Sequence, residues 1–201
     1  MSAAGKVLTG FSLPYVALYA ASAGTVTYSS GQKLARGVSV SIDPTTSNDN
    51  AFYADNGVAE QSAGALTGGT ATLTVDGLFI TAEDLIMGLP NPENITVGGA
   101  SVSVWAYGDS ATPPLVGVAF IARYQSDGVE SFVPILLTKG RFQIPSFSAE
   151  TQGEDIDWQT QELTLNVMRD DTSAHDWKKI AADQTTEASA EAVIKKWFNI
   201  A

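Results

Sequence analysis

Period-two alternation of apolar and polar side chains recurs along this chain and constrains its fold more than any other feature. The clearest case is Arg36 to Asp43, where Val38, Val40 and Ile42 face one side while Ser39, Ser41 and Asp43 face the other. A helix cannot turn such a stripe onto one core, whereas a strand does so with every second residue. Pro44 then predicts the end of that strand. Tyr15 to Ala20, Thr25 to Tyr28, Thr70 to Asp76 and Ser101 to Tyr107 also read as strands, with Ser30-Gly31 as a turn. Leu115 to Tyr124 and Val129 to Thr138 flank the hairpin signal Ser126-Asp127-Gly128, and their apolar density predicts a central place in the sheet. Pro134 lacks a ladder donor, so a bulge or an edge position is expected there.

Between Lys139 and Asp171 the alternation falls out of step. Ile156 and Trp158 occupy even positions, whereas Leu163, Leu165 and Val167 are odd. One strand cannot put both sets on one face, so Gln159 to Glu162 must contain a bulge or a break. Two helices complete the reading. Thr81 is the expected N-cap of a short helix over Ala82 to Met87, stopped by Gly88 and Pro90. Ala190, Val193, Ile194, Trp197 and Phe198 fall at i, i+3, i+4, i+7 and i+8, predicting a C-terminal amphipathic helix over about 186–198. The segment 43–69 is rich in Ser, Thr, Asn, Asp and Gly and reads as a long loop or arm. These elements fit a mainly β chain forming a single domain over 1–201.

The formal net charge of −11, from 11 Lys and Arg against 22 Asp and Glu, disfavours binding to a phosphate backbone. There is no cysteine, which removes disulfides and thiolate metal sites. The opening MSAAGKVLTG lacks the apolar core of a secretory signal, and no window approaches 18 uninterrupted apolar residues. Synthesis and folding in the cytoplasm, with no membrane partner, are expected.

Little in the sequence carries chemistry. The one histidine, His175, stands in SAHDW with no second His to complete a zinc site. Glu154, Asp155 and Asp157, like Asp43, Asp49 and Asp55, lack the spacing of an EF-hand loop and read as a solvated or interface face. No nucleophile elbow, P-loop or dinucleotide fingerprint is present. Trp105, Trp158, Trp177 and Trp197 could form a sugar-stacking platform, but in a β-domain they more often serve core or interface. No catalytic residue, metal or cofactor is expected.

Three blocks carry a family resemblance: VSVSIDPTTSNDNAFYADNGVAEQ, then TATLTVDG with TAEDLIMG, and the run from LVGVAFIARYQSDG through LLTKGRF to ETQGEDIDWQTQELTLNVMRDD and HDWKK. They span roughly residues 36 to 179, and over them the chain resembles the major tail proteins of phages with long non-contractile tails. Asn91 to Gly99 and the terminal helix depart from that pattern. The resemblance implies a two-sheet β-sandwich or barrel with a flanking helix, assembled as hexameric rings stacked into the tail tube. It further implies a virion location, with tape-measure, tail-terminator and tail-tip proteins as partners and viral DNA passing without specific binding. Free strand edges fit such self-assembly, and negative walls would repel DNA phosphates. Candidate assembly residues are Asp49, Asn50, Phe52, Tyr53 and Asp55 on the arm, Trp158 at the parity break, and Trp197 and Phe198 on the last helix. That helix could pack on its own subunit or clasp a neighbour. A virion-surface or extracellular β-sandwich binding module, and the inner tube of a contractile tail or secretion machine, are the alternatives.

Overall fold

In the computed structural model, which describes residues 5–48, 50–151 and 158–200 with the backbone alone at 50, 61 and 62, the alternating segments become antiparallel strands. In chain order the elements are β1 (Val7–Ser22), β2 (Thr25–Lys33), β3 (Gly37–Thr46), β4 (Asn50–Ala54), β5 (Gly57–Ser62), β6 (Leu66–Val75) and α1 (Ile80–Met87). Then come β7 (Glu93–Val97), β8 (Ala100–Val104), β9 (Val116–Ser126), β10 (Val129–Phe142), β11 (Gln161–Met168), β12 (Lys178–Ile180) and α2 (Glu187–Trp197). The main sheet runs β2-β1-β9-β10-β11-β6-β3, with β12 also on β10, while β4–β5 and β7–β8 are separate hairpins.

Strand β10 turns this ribbon into a sandwich. Its first half pairs β12 through Ile135 to Leu137, and its second half pairs β11 through Lys139 to Phe142. A register shift against β9 between Leu137 and Gly140 moves the inward parity from Leu137 to Phe142. Strands β11, β6 and β3 thereby fold back over β9 and β1. Val116, Val118 and Phe120 of β9 meet Leu73 and Val75 of β6 and Leu163, Leu165 and Val167 of β11, with Ile86 and Met87 of α1 plugging one end. The alternate residues Ala119 and Ile121 face the other way, with Tyr15, Ala17, Phe132 and Leu136, under Ala190, Ile194 and Phe198. Strand β9 is therefore buried on both faces, as its apolar density implied. The chain is mainly β, a sandwich with a short plugging helix and a C-terminal amphipathic helix.

Helix α2 docks on its own subunit, N-capped by Thr186 accepting from Ser189 N. Phe198 is 1% exposed and stacks edge-on against Tyr28 at 5.1 Å. Burying Ile194 and Phe198 contributes roughly 2–3 kcal/mol each.

Several expectations need correction. Strand β3 continues past Pro44 to Thr46 because it is an edge strand, hydrogen-bonded on one side only, where a missing donor can face solvent. Ser30-Gly31 is a bulge inside β2, not a turn; Ser30 has φ 53°, and a side chain at Gly31 would strike Ile200 and Phe198. The turn lies at Ala23-Gly24. Helix α1 starts at Ile80 with Phe79 as an N-cap that makes no side-chain bond; Thr81 lies inside the first turn. A cap is worth about 1 kcal/mol, less than placing Ala82, Ile86 and Met87 in the core. Pro134 is in continuous register with Ile121 and causes no bulge. Its missing donor faces the interrupted flank where β10 meets β12, and its carbonyl accepts from Ala181 N at 3.0 Å. The strand expected over Ser101 to Tyr107 is β8, which ends at Val104.

Candidate assembly surfaces

The arm over 43–69 is ordered β structure. Strands β3 and β6 stay paired to Thr46 and Leu66, and Ser47 locks the junction, donating its N–H to Ala65 O at 2.8 Å while its hydroxyl accepts from Ala65 N at 2.9 Å. Beyond it β4 and β5 form a second hairpin, closed by Asp55-Asn56 with φ of 51° and 63°, the geometry of a type I′ turn. Tyr53 pairs with Val58 and Phe52 with Glu60 across a bulge. Phe52 is 65% exposed and Tyr53 67%, so the tip holds large apolar groups in solvent without a core beneath them. A lone two-stranded hairpin is marginal in water, and this one gains its order from the β3–β6 base. Of the sequence candidates, Phe52, Tyr53 and Asp55 come together here, and Asn50 sits in β4 opposite Ser62. Asp49 lies outside the described residues, as do Glu154, Asp155 and Asp157.

A second exposed hairpin falls in the segment that departs from the family pattern. Strands β7 and β8 are closed by Gly98-Gly99, with φ of 59° and 84°. Register puts Ile95, Val97, Val102 and Val104 on one face and Asn94, Thr96, Ser101 and Ser103 on the other. All four apolar residues are more than two-fifths exposed. Sequence reasoning treated Gly98-Gly99 as a weak turn; alternation on both sides of a Gly-Gly pair was the available signal.

Trp158 is 82% exposed, just before the break that parity demanded, since β11 begins at Gln161. Phe147, 90% exposed, borders a cleft with Asp76, Gly77 and Gln159 to Glu162, and Phe79 borders the adjoining cleft over Gly77. Trp158 is thus brought near neither the arm tip nor α2. Phe198 is in the subunit's own core, so it cannot meet a neighbour while α2 stays docked; Trp197 beside it is half-buried.

The outer face of β3, β6 and β11 is polar. Cross-strand rows run Ser39–Thr74–Glu162, Ser41–Thr72–Thr164 and Asp43–Thr70–Asn166, the last ending at Arg141. The corner beside it is tied by Lys139, which donates to Asp171 at 2.7 Å; Asp171 also accepts from Tyr19 Oη at 2.7 Å. The Lys139 ammonium, then the Tyr19 hydroxyl, hold the Asp171 carboxyl below its ordinary value. Partial burial, with the Asp171 bond second, pushes the Tyr19 phenol up to about 12.

Catalytic geometry does not assemble among the described residues. His175 is exposed, its Nδ1 3.2 Å from Asp170 O, and no group of three or more His, Asp or Glu is placed to hold a metal ion. No family model and no curated protein matches this chain.

Proposed function

We propose that this chain is a structural subunit that polymerises with copies of itself, forming the hexameric rings and stacked tube of a long non-contractile phage tail. The observation that carries the reading is the arm tip: Phe52, Tyr53 and Val58 stand in solvent on a hairpin with no core of its own, held at a distance by a rigid β base. Such a device lowers its free energy by burying those side chains against another molecule. The sheet supplies a second contact type, because β2 and β3 end the strand order and each pairs along one edge only. Heterologous contacts that close make rings, and those that do not close make filaments.

The uncovered rows of Ser, Thr and Asn on β3, β6 and β11 suit the wall of a DNA conduit. Hydroxyls offer no strong hold on phosphates, and the surplus of acids repels them. No catalytic role, cofactor or metal is assigned. Exposed Trp158, Phe147 and Phe79 favour a second reading, a virion-surface binding module that works as a monomer. Sedimentation velocity of purified protein over a wide concentration range separates the two. Species many times the monomer mass support the subunit reading, and a strict monomer at the highest concentration refutes it.

A further inference from the structure

Two unsatisfied apolar features lie at opposite ends of the sandwich. One is the β7–β8 hairpin. It joins the body at the end where β9 begins, beside α1, whose C-cap Gly88 abuts Thr112 O. The other is a groove at the far end of β9, where the two layers splay. It is lined by Leu8 and Phe11 of β1, Val40 and Ile42 of β3, and Tyr124 and Ile135 of β9 and β10. Leu8 on its lip is 61% exposed and neighbouring Val7 63%. The register places Leu8 opposite Tyr124 and Leu18 opposite Val116, so groove and hairpin root are separated along β9 by about 20 Å or more.

From these features we infer that the apolar face of β7–β8 docks into this groove on a second copy of the chain, a head-to-tail contact along the strand axis. Three observations select that occupant. The groove is almost wholly apolar, and Ile95, Val97, Val102 and Val104 form a continuous apolar face of matching character. Charge is complementary too. From Gly37 to Ala122 the chain has no Lys, Arg or His, and Glu83, Asp84, Glu93 and Asp109 flank the hairpin, whereas Lys6 sits at the groove rim, 4.5 Å over the Tyr124 ring. Finally, the arm leaves the body from the groove's own end, through Thr46 and Leu66, so a copy stacked on that end presents its α1 and β7–β8 end. Arm and groove then address the same neighbour, and the contact does not close on itself.

This inference rests on the self-assembly reading and adds to it a pair of surfaces. The chain lacks cysteine, so thiols can be placed cleanly. Val102→Cys protein is mixed with Leu8→Cys protein of distinguishable mass, concentrated and oxidised with diamide. The expected result is a disulfide-linked dimer containing one of each, at least tenfold above either variant alone. Ile95→Asp, at an exposed position, is expected to leave the fold intact and raise the concentration needed for assembly at least tenfold. Assemblies that form normally without the 102–8 link, or that link Phe52→Cys to Leu8→Cys instead, overturn this contact and leave the subunit reading standing. Failure of the unmodified chain to associate overturns both.

Discussion

Gly117 shows how single positions hold the layers together. The Tyr28 ring crosses β9 directly over it, where a Cβ would lie 2.4 Å from Cε1, and the phenol donates to Thr138 O on β10 at 2.7 Å. The same ring supports Phe198. Gly117→Ala should therefore destabilise the fold by roughly 1–3 kcal/mol through overpacking, read as a lower denaturation midpoint with α2 loosened. Carboxylates pin α2 from its polar side. Glu191 accepts from Tyr15 Oη at 2.5 Å and pairs with Lys195 at 3.2 Å, and Glu187 accepts from Ser12 Oγ. The Tyr15 bond, then Lys195, lowers the Glu191 pKa. A depressed carboxylate stabilises the fold above its unfolded value of about 4.3 and loses that contribution as pH falls through the folded value. Wild type should thus lose more stability than Glu191→Gln between about pH 5 and about pH 3. Parallel denaturation curves for the two proteins across that range would contradict the assignment.

Hairpins and helix make separable predictions. Deleting Ser47 to Gly64 removes only the distal hairpin, so the subunit should keep its melting temperature within a few degrees yet no longer polymerise; circular dichroism and light scattering check the two halves. Phe198→Ala should cost about 3–5 kcal/mol because its ring is enclosed, while Trp197→Ala, at a half-buried site, should cost less. The elements legible in the sequence were those whose local pattern and tertiary burial agree. The Asp127-Gly128 turn, the i, i+4, i+8 stripe of Ala190, Ile194 and Phe198, and the break before Gln161 all follow from parity or turn chemistry. Others depend on distant partners. Ser30-Gly31 becomes a bulge because Phe198 and Ile200 pack there, and Pro44 is tolerated because β3 is an edge. The arm was legible as a feature but not as a hairpin, since its strands are short, polar and set out of phase by a bulge.

At the scale of the whole molecule, the three layers divide the labour. The β9 layer is buried on both sides, α2 covers one face, and the β3–β6–β11 layer turns a polar face outward. If that face is the conduit wall, assembled wild type should leave DNA unbound, whereas Thr72→Lys with Thr164→Lys should retain it in a salt-dependent way, seen by co-sedimentation. The central claim, a subunit built to polymerise, is tested most directly by electron microscopy of the concentrated, purified chain. The account predicts six-fold rings or hollow tubes, abolished by removal of the arm tip. Dispersed monomers of the intact chain at every concentration would contradict it.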